Sequence, residues 1–169
     1  MTEKNQPVVG QIFYVPLYEG GYAFGYVTVI DKYSGKMCNF FDLVSETPEV
    51  PADIATTPVI LYDLLVGGSE FVRHRAIADK QWKVTSCHMP GEVRPKNPFF
   101  IMHSRPVYQL VDLTREQPKR PATDEEIARY PVLGSFFPPF TTKIVEKAVR
   151  HLDIDTKLIG VDRAPGTVH

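Results

Sequence analysis

From Tyr22 to Asp31 the side chains alternate position by position. Tyr22, Phe24, Tyr26, Thr28 and Ile30 fall on one face, and Ala23, Gly25, Val27 and Val29 on the other. A period of two belongs to a pleated strand, whose successive side chains point to opposite sides. One face is therefore aromatic and the other small. Small residues permit close backbone approach or strong curvature, and Gly25 is the position expected to carry a bulge. Ahead of it, residues 11–17 form a short apolar run closed by Pro16 and the turn at Glu19-Gly20-Gly21. Behind it, Ser34-Gly35 is a hairpin signal, and residues 36–44 return as a third strand. The pattern predicts a three-stranded meander before residue 47.

Pro48, Pro51 and Pro58 make residues 45–58 irregular, with one short helical turn near Asp53. Pro58 and Gly67 would suit the two ends of a helix, but the eight residues between them are rich in Val, Ile, Leu and Tyr and fit a buried strand better. Residues 69–78 read as a short helix or loop, 81–86 as a strand containing Trp82, 89–98 as a proline-rich loop, and 107–113 as the last strand. Thr123 and Glu126 have capping-box spacing, opening a helix that Pro131 must end. A longer helix is expected over 141–152, with Ile144, Val145, Ala148, Val149 and Leu152 as its apolar stripe and Glu146 and Arg150 four residues apart. The tail beyond Asp153 is either loosely held or adds an edge segment at Leu158-Ile159. The fold expected is α+β and mainly β: a twisted antiparallel sheet or small partly open barrel with one or two C-terminal helices packed on it. Residues 8–152 would form a single domain between a flexible stretch at 1–7 and the tail at 153–169.

Composition sharpens this in two ways. Fifteen prolines in 169 residues are well above the usual share of about 5%, which argues against long helices and a continuous parallel sheet. The balance of 19 basic and 20 acidic side chains removes the electrostatic case for a general nucleic-acid binder. The near-neutral total conceals an uneven distribution. Residues 1–69 sum to −5, residues 70–120 to +5 and residues 121–169 to −1. The blocks are expected to neutralise one another in the fold; were the middle one a single surface, it would attract an acidic partner. The polar N-terminus has no signal-like apolar stretch, and no run approaches the roughly 18 apolar residues of a membrane span. A cytoplasmic monomer with reduced Cys38 and Cys87, one or both buried, is the expectation.

Chemistry is less legible. His74, His88, His103, His151 and His169 show no HxH, HExxH or HxxxH spacing. A site holding a divalent metal ion would need His74, His88 and His103 to converge in space, with Cys87 or Asp112 adding a ligand. Cys87 and His88 are neighbours, so on a strand they would face opposite ways. A Cys-His nucleophilic pair would draw on the same residues. The simpler reading is that these histidines lie at the surface or are hydrogen-bonded. The sequence has no GxSxG elbow and no phosphate-binding P-loop.

Two segments carry a resemblance. Gly10-Gln11-Ile12-Phe13-Tyr14-Val15-Pro16-Leu17 followed by Tyr22-Ala23-Phe24-Gly25-Tyr26-Val27 resembles the opening of the immunity protein 26 / phosphotriesterase HocA family. Pro58-Val59-Ile60-Leu61, the Trp82 strand, a Phe99-Phe100 loop and the helix at Val145-Glu146-Lys147 follow in the family's order, over residues 8 to 152. The resemblance implies framework roles for Gly10, Phe13, Pro16, Leu17, Gly25 and Trp82, and transfers no catalytic set. It implies two functions. The first is hydrolysis of aryl dialkyl phosphate triesters, such as coroxon, to a dialkyl phosphate and a phenol-like alcohol. His88, Cys87, His103 and His74 would then be the catalytic candidates, and His74, His88, His103 and Asp112 the metal candidates. The alternative is an immunity protein that binds and neutralises a toxin protein without catalysis. A size similar to that of the family's hydrolase member favours the first; the uneven charge and aromatic surface favour the second.

Overall fold

The computed structural model describes residues 5–32, 34–72, 80–104, 106–133 and 138–154. Strands β1 (Gln11–Pro16), β2 (Tyr22–Asp31), β3 (Gly35–Phe41), β4 (Val59–Val66) and β5 (Lys83–His88) form an antiparallel sheet in the order β4-β3-β2-β1-β5. Strands β6 (Phe99–Ser104), β7 (Val107–Asp112) and β8 (Arg120–Pro121) form a second antiparallel sheet, followed by helices α1 (Asp124–Arg129) and α2 (Pro138–Val149). The α+β, mainly β expectation holds, with antiparallel strands and two late helices; the described strands divide between two sheets and close no barrel.

The small face of β2 explains the main core. Gly25 pairs with Phe13 on one side and Phe40 on the other. A methyl at Gly25 would lie 2.7 Å from the Asn39 carbonyl oxygen, 2.8 Å from Phe13 Cζ and 2.9 Å from Phe40 Cδ1. The missing side chain lets the Phe13 and Phe40 rings meet edge to face, with Phe13 stacked on Trp82 at 5.5 Å and Phe71 closing the group. Ile144, Val145, Ala148 and Val149 of α2 cover this cluster, and Trp82 Nε1 donates to Thr142 Oγ1 at 2.9 Å. The aromatic face of β2 builds a second cluster, where Ile12, Phe24, Tyr26 and Phe41 pack under Ile54 and the loop after β3.

Several elements depart from the sequence pattern. The bulge in β2 lies at Thr28, between the pairs Val27–Cys38 and Val29–Met37, and not at Gly25. The extra residue reverses the alternation beyond it. Val29 therefore leaves the face of Val27 and joins Met37, Leu65, Phe100, Val111 and Leu113, the cluster that joins the two sheets. Phe99-Phe100 opens β6 instead of lying in a loop, because its backbone pairs with Asp112 and Val111 of β7. The two-residue β8 follows the strand expected to be last; it is too short for any periodicity to reveal. Trp82 sits just before β5, which begins at Lys83. α2 starts three residues earlier than expected, since Pro138-Pro139 occupies the first turn, where backbone N–H groups need no helical partner. The helical turn near Asp53 is a 3-10 turn at Ile54–Thr56, and another covers Ser69–Phe71. The Leu158-Ile159 edge segment and His74 lie outside the described residues. Among the described residues no helix is long and apolar enough to cross a membrane.

The capping box is formed. Thr123 Oγ1 accepts from the Glu126 amide, and a Glu126 carboxylate oxygen accepts from the Thr123 amide. Arg120 of β8 grips the same carboxylate. Arg120, ahead of the backbone bonds, holds the Glu126 carboxyl at about 2, below its ordinary value of 4.5. The folded-state value is depressed, so this contribution is full above the ordinary carboxylate range and disappears as pH falls through about 2. NMR should show the Glu126 carboxyl titrating near 2, with the Thr123 and Glu126 amides keeping native shifts until then.

A clamped groove as the candidate functional site

Asp63 interrupts the apolar run of β4, and the structure gives that interruption a use. Between the pairs Cys38–Leu64 and Phe40–Leu61, β4 carries one residue more than β3. Asp63 takes up the excess at φ 53°, in the left-handed region that aspartate tolerates better than most residues. Its amide donates to Asn39 Oδ1 at 2.9 Å, and Asn39 Nδ2 donates to the Tyr26 hydroxyl at 3.0 Å. The Asp63 carboxylate, itself buried, accepts from the amides of Lys96 at 3.2 Å and Asn97 at 2.7 Å. The residue that bends the edge strand thus fixes the end of the 89–98 loop.

A second buried carboxylate treats the next loop in the same way. Asp112 at the end of β7 accepts from the Thr114 amide and hydroxyl through one oxygen and from the Gln117 amide through the other. Arg115 in that loop pairs with Asp31 at the end of β2, at 2.7 Å. Between the two loops lies a groove of about 330 Å³. Thr28 and Val29, displaced by the β2 bulge, line it together with Val93, Pro95 and Pro98 from one loop and Thr114 from the other. Glu92, Arg94 and Glu116 supply its charges, with Arg94 3.0 Å from Glu92 and 4.0 Å from Glu116. Glu146 of α2 applies a comparable clamp at the opposite face of the sheet, accepting from the amides of Tyr18 and Glu19 in the β1–β2 turn.

The sequence candidates are distributed over both sheets. Cys87 and His88 lie on β5, the thiol half-buried in the second cluster and the imidazole exposed, as strand alternation requires. His103 lies on β6 of the other sheet, exposed and stacked on Tyr108 at 4.5 Å. Asp112 is engaged with its own loop, as above. Among the described residues no group of three or more His, Cys, Asp or Glu side chains is placed to hold a metal ion. Cys38 is a free thiol in the main core, and burial, ahead of the Glu70 charge, pushes it far above the usual thiol range. The charge blocks interleave: Arg115 of the basic block meets Asp31 of the acidic one, and Arg120 meets Glu126 of the third.

Sequence reasoning missed Asp63 and the groove. The available signal was a lone carboxylate inside an eight-residue apolar run, which demands a buried set of donors.

Fold and groove together define a small two-sheet β protein with a groove between two loops that buried carboxylates hold. The chain belongs to the immunity protein 26 family, whose model matches residues 8–101. That span holds the whole five-stranded sheet, Asp63 and the 89–98 wall of the groove, and it ends inside β6. The match reaches the immunity protein family and lends no support to the expected phosphotriesterase activity. No curated protein and no solved structure matches the chain.

Proposed function

We propose that this protein is an immunity protein that binds a toxin protein and neutralises it without catalysis. The family match over residues 8–101 carries this reading. The groove is compatible with it in physical terms. Loops already held by Asp63 and Asp112 lose little conformational freedom on docking, so less of the contact energy goes into ordering them. Protein docking also accommodates loops fixed by buried carboxylates, with His88 and His103 apart on the two sheets.

The test is to co-express the protein with a toxin whose gene is found adjacent to its own. The protein should restore growth of cells making that toxin and should co-elute with it in size-exclusion chromatography. Growth arrest despite soluble protein, with no complex, rejects the proposal. The same purified protein should release no phenol from an aryl dialkyl phosphate above a buffer blank, with or without added divalent metal. Release that scales with protein concentration would return the function to triester hydrolysis.

A further inference from the structure

The groove between the two loops carries a charge pattern of its own. Its volume of about 330 Å³ is at the small end for ligand pockets and suits one long side chain better than a secondary-structure element. Val29, Val93, Pro95 and Pro98 give it apolar walls, while Glu92 and Glu116 face one guanidinium, that of Arg94. Two carboxylates against one cation leave the groove with a net negative charge. The 4.0 Å separation between Arg94 and Glu116 is longer than a hydrogen bond, so Glu116 keeps acceptor capacity. All three charged side chains are more than two-thirds exposed. Ion pairs of that kind are weak, and Arg94 can swing aside at little cost.

We propose that this groove receives a lysine or arginine side chain of the partner protein. The aliphatic stem lies against Val29, Val93 and Pro95, and the cation sits between Glu92 and Glu116. Long cationic side chains combine these two demands, burying an apolar stem while the head finds carboxylates. The proposal rests on the immunity reading only for the identity of the partner; the groove's preference for a cation is a property of this chain alone.

The experiment follows the amide shifts of the ¹⁵N-labelled full chain during titration with N-acetyl-arginine N-methylamide, and in parallel with its uncharged citrulline analogue. Saturable shifts are expected at Val29, Val93 and Glu116 with the arginine compound and not with the citrulline one. E92Q/E116Q should weaken the arginine titration at least about tenfold, since both charge-assisted contacts are lost and one alone contributes about that factor. R94Q should strengthen it several-fold, because the carboxylates lose their internal competitor. These side chains are exposed, so unchanged shifts elsewhere will report an intact fold. Equal response to citrulline, retention in E92Q/E116Q, or loss in R94Q would each overturn the assignment. Toxin neutralisation without a cation response removes the groove proposal and leaves the immunity reading standing. A cation response without neutralisation does the reverse.

Discussion

Gly25→Ala should destabilise the protein by about 3 kcal/mol or more, read as a lower midpoint of urea unfolding with an unchanged slope. The added carbon would meet three neighbours at once, and the nearest, the Asn39 carbonyl oxygen at 2.7 Å, belongs to the backbone of the paired strand. Retreat there means parting β2 from β3. Retreat at Phe13 means disturbing the ring stacked on Trp82. Gly67→Ala is the control, since nothing lies within 4 Å of a methyl there and its φ is not in the left-handed region. That variant should be neutral or slightly more stable, through reduced freedom of the unfolded chain. Gly25→Ala,Phe13→Leu should recover only part of the loss, because Leu relieves the ring contact and leaves the carbonyl contact untouched. A Gly25→Ala protein as stable as Gly67→Ala would show that close strand approach is not what the glycine provides.

That result bears on how much of this molecule its sequence discloses. Alternation in β2 and an apolar run in β4 are local signals, and both strands lie where those signals put them. The capping box at Thr123 is equally local, and it forms as written. Phe99-Phe100 lacked such a signal: Pro98 on one side and the polar His103-Ser104 on the other hide a strand defined by pairing with β7. The bulge is a harder case. Thr28 is set apart only by the register of β3, where Val27 and Val29 face the consecutive residues Cys38 and Met37. The groove was further from view, since its two walls are separated along the chain and its floor depends on that bulge. Charge summed over sequence blocks was equally mute, because Arg115 finds its partner 84 residues away at Asp31.

Asp63→Ala should combine two losses and be the most damaging single change at the candidate site. The first loss is the carboxylate, which accepts from the amides of Lys96 and Asn97, residues 33 and 34 positions further along the chain. Hydrogen bonds to a charged group contribute about 1.5–3 kcal/mol each, discounted here because the freed amides can turn towards water. The second loss is conformational, since alanine at φ 53° costs about 1 kcal/mol more than a residue that accepts the left-handed region. Asp63→Gly separates the two: it keeps the bend in β4 and removes only the clamp. Both variants should exchange the Lys96 and Asn97 amides faster than wild type, with little change in the Trp82 cluster on the other side of the sheet. Both should also weaken toxin binding, since the wall bearing Glu92 and Arg94 must then be ordered at the moment of docking. The glycine variant should be the more stable of the two by about 1 kcal/mol. If Asp63→Gly unfolds at the wild-type midpoint with protected Lys96 and Asn97 amides, the carboxylate does not hold the loop. The strained residue would then serve β4 alone, because a left-handed aspartate matters to the groove only if its side chain reaches across to the loop.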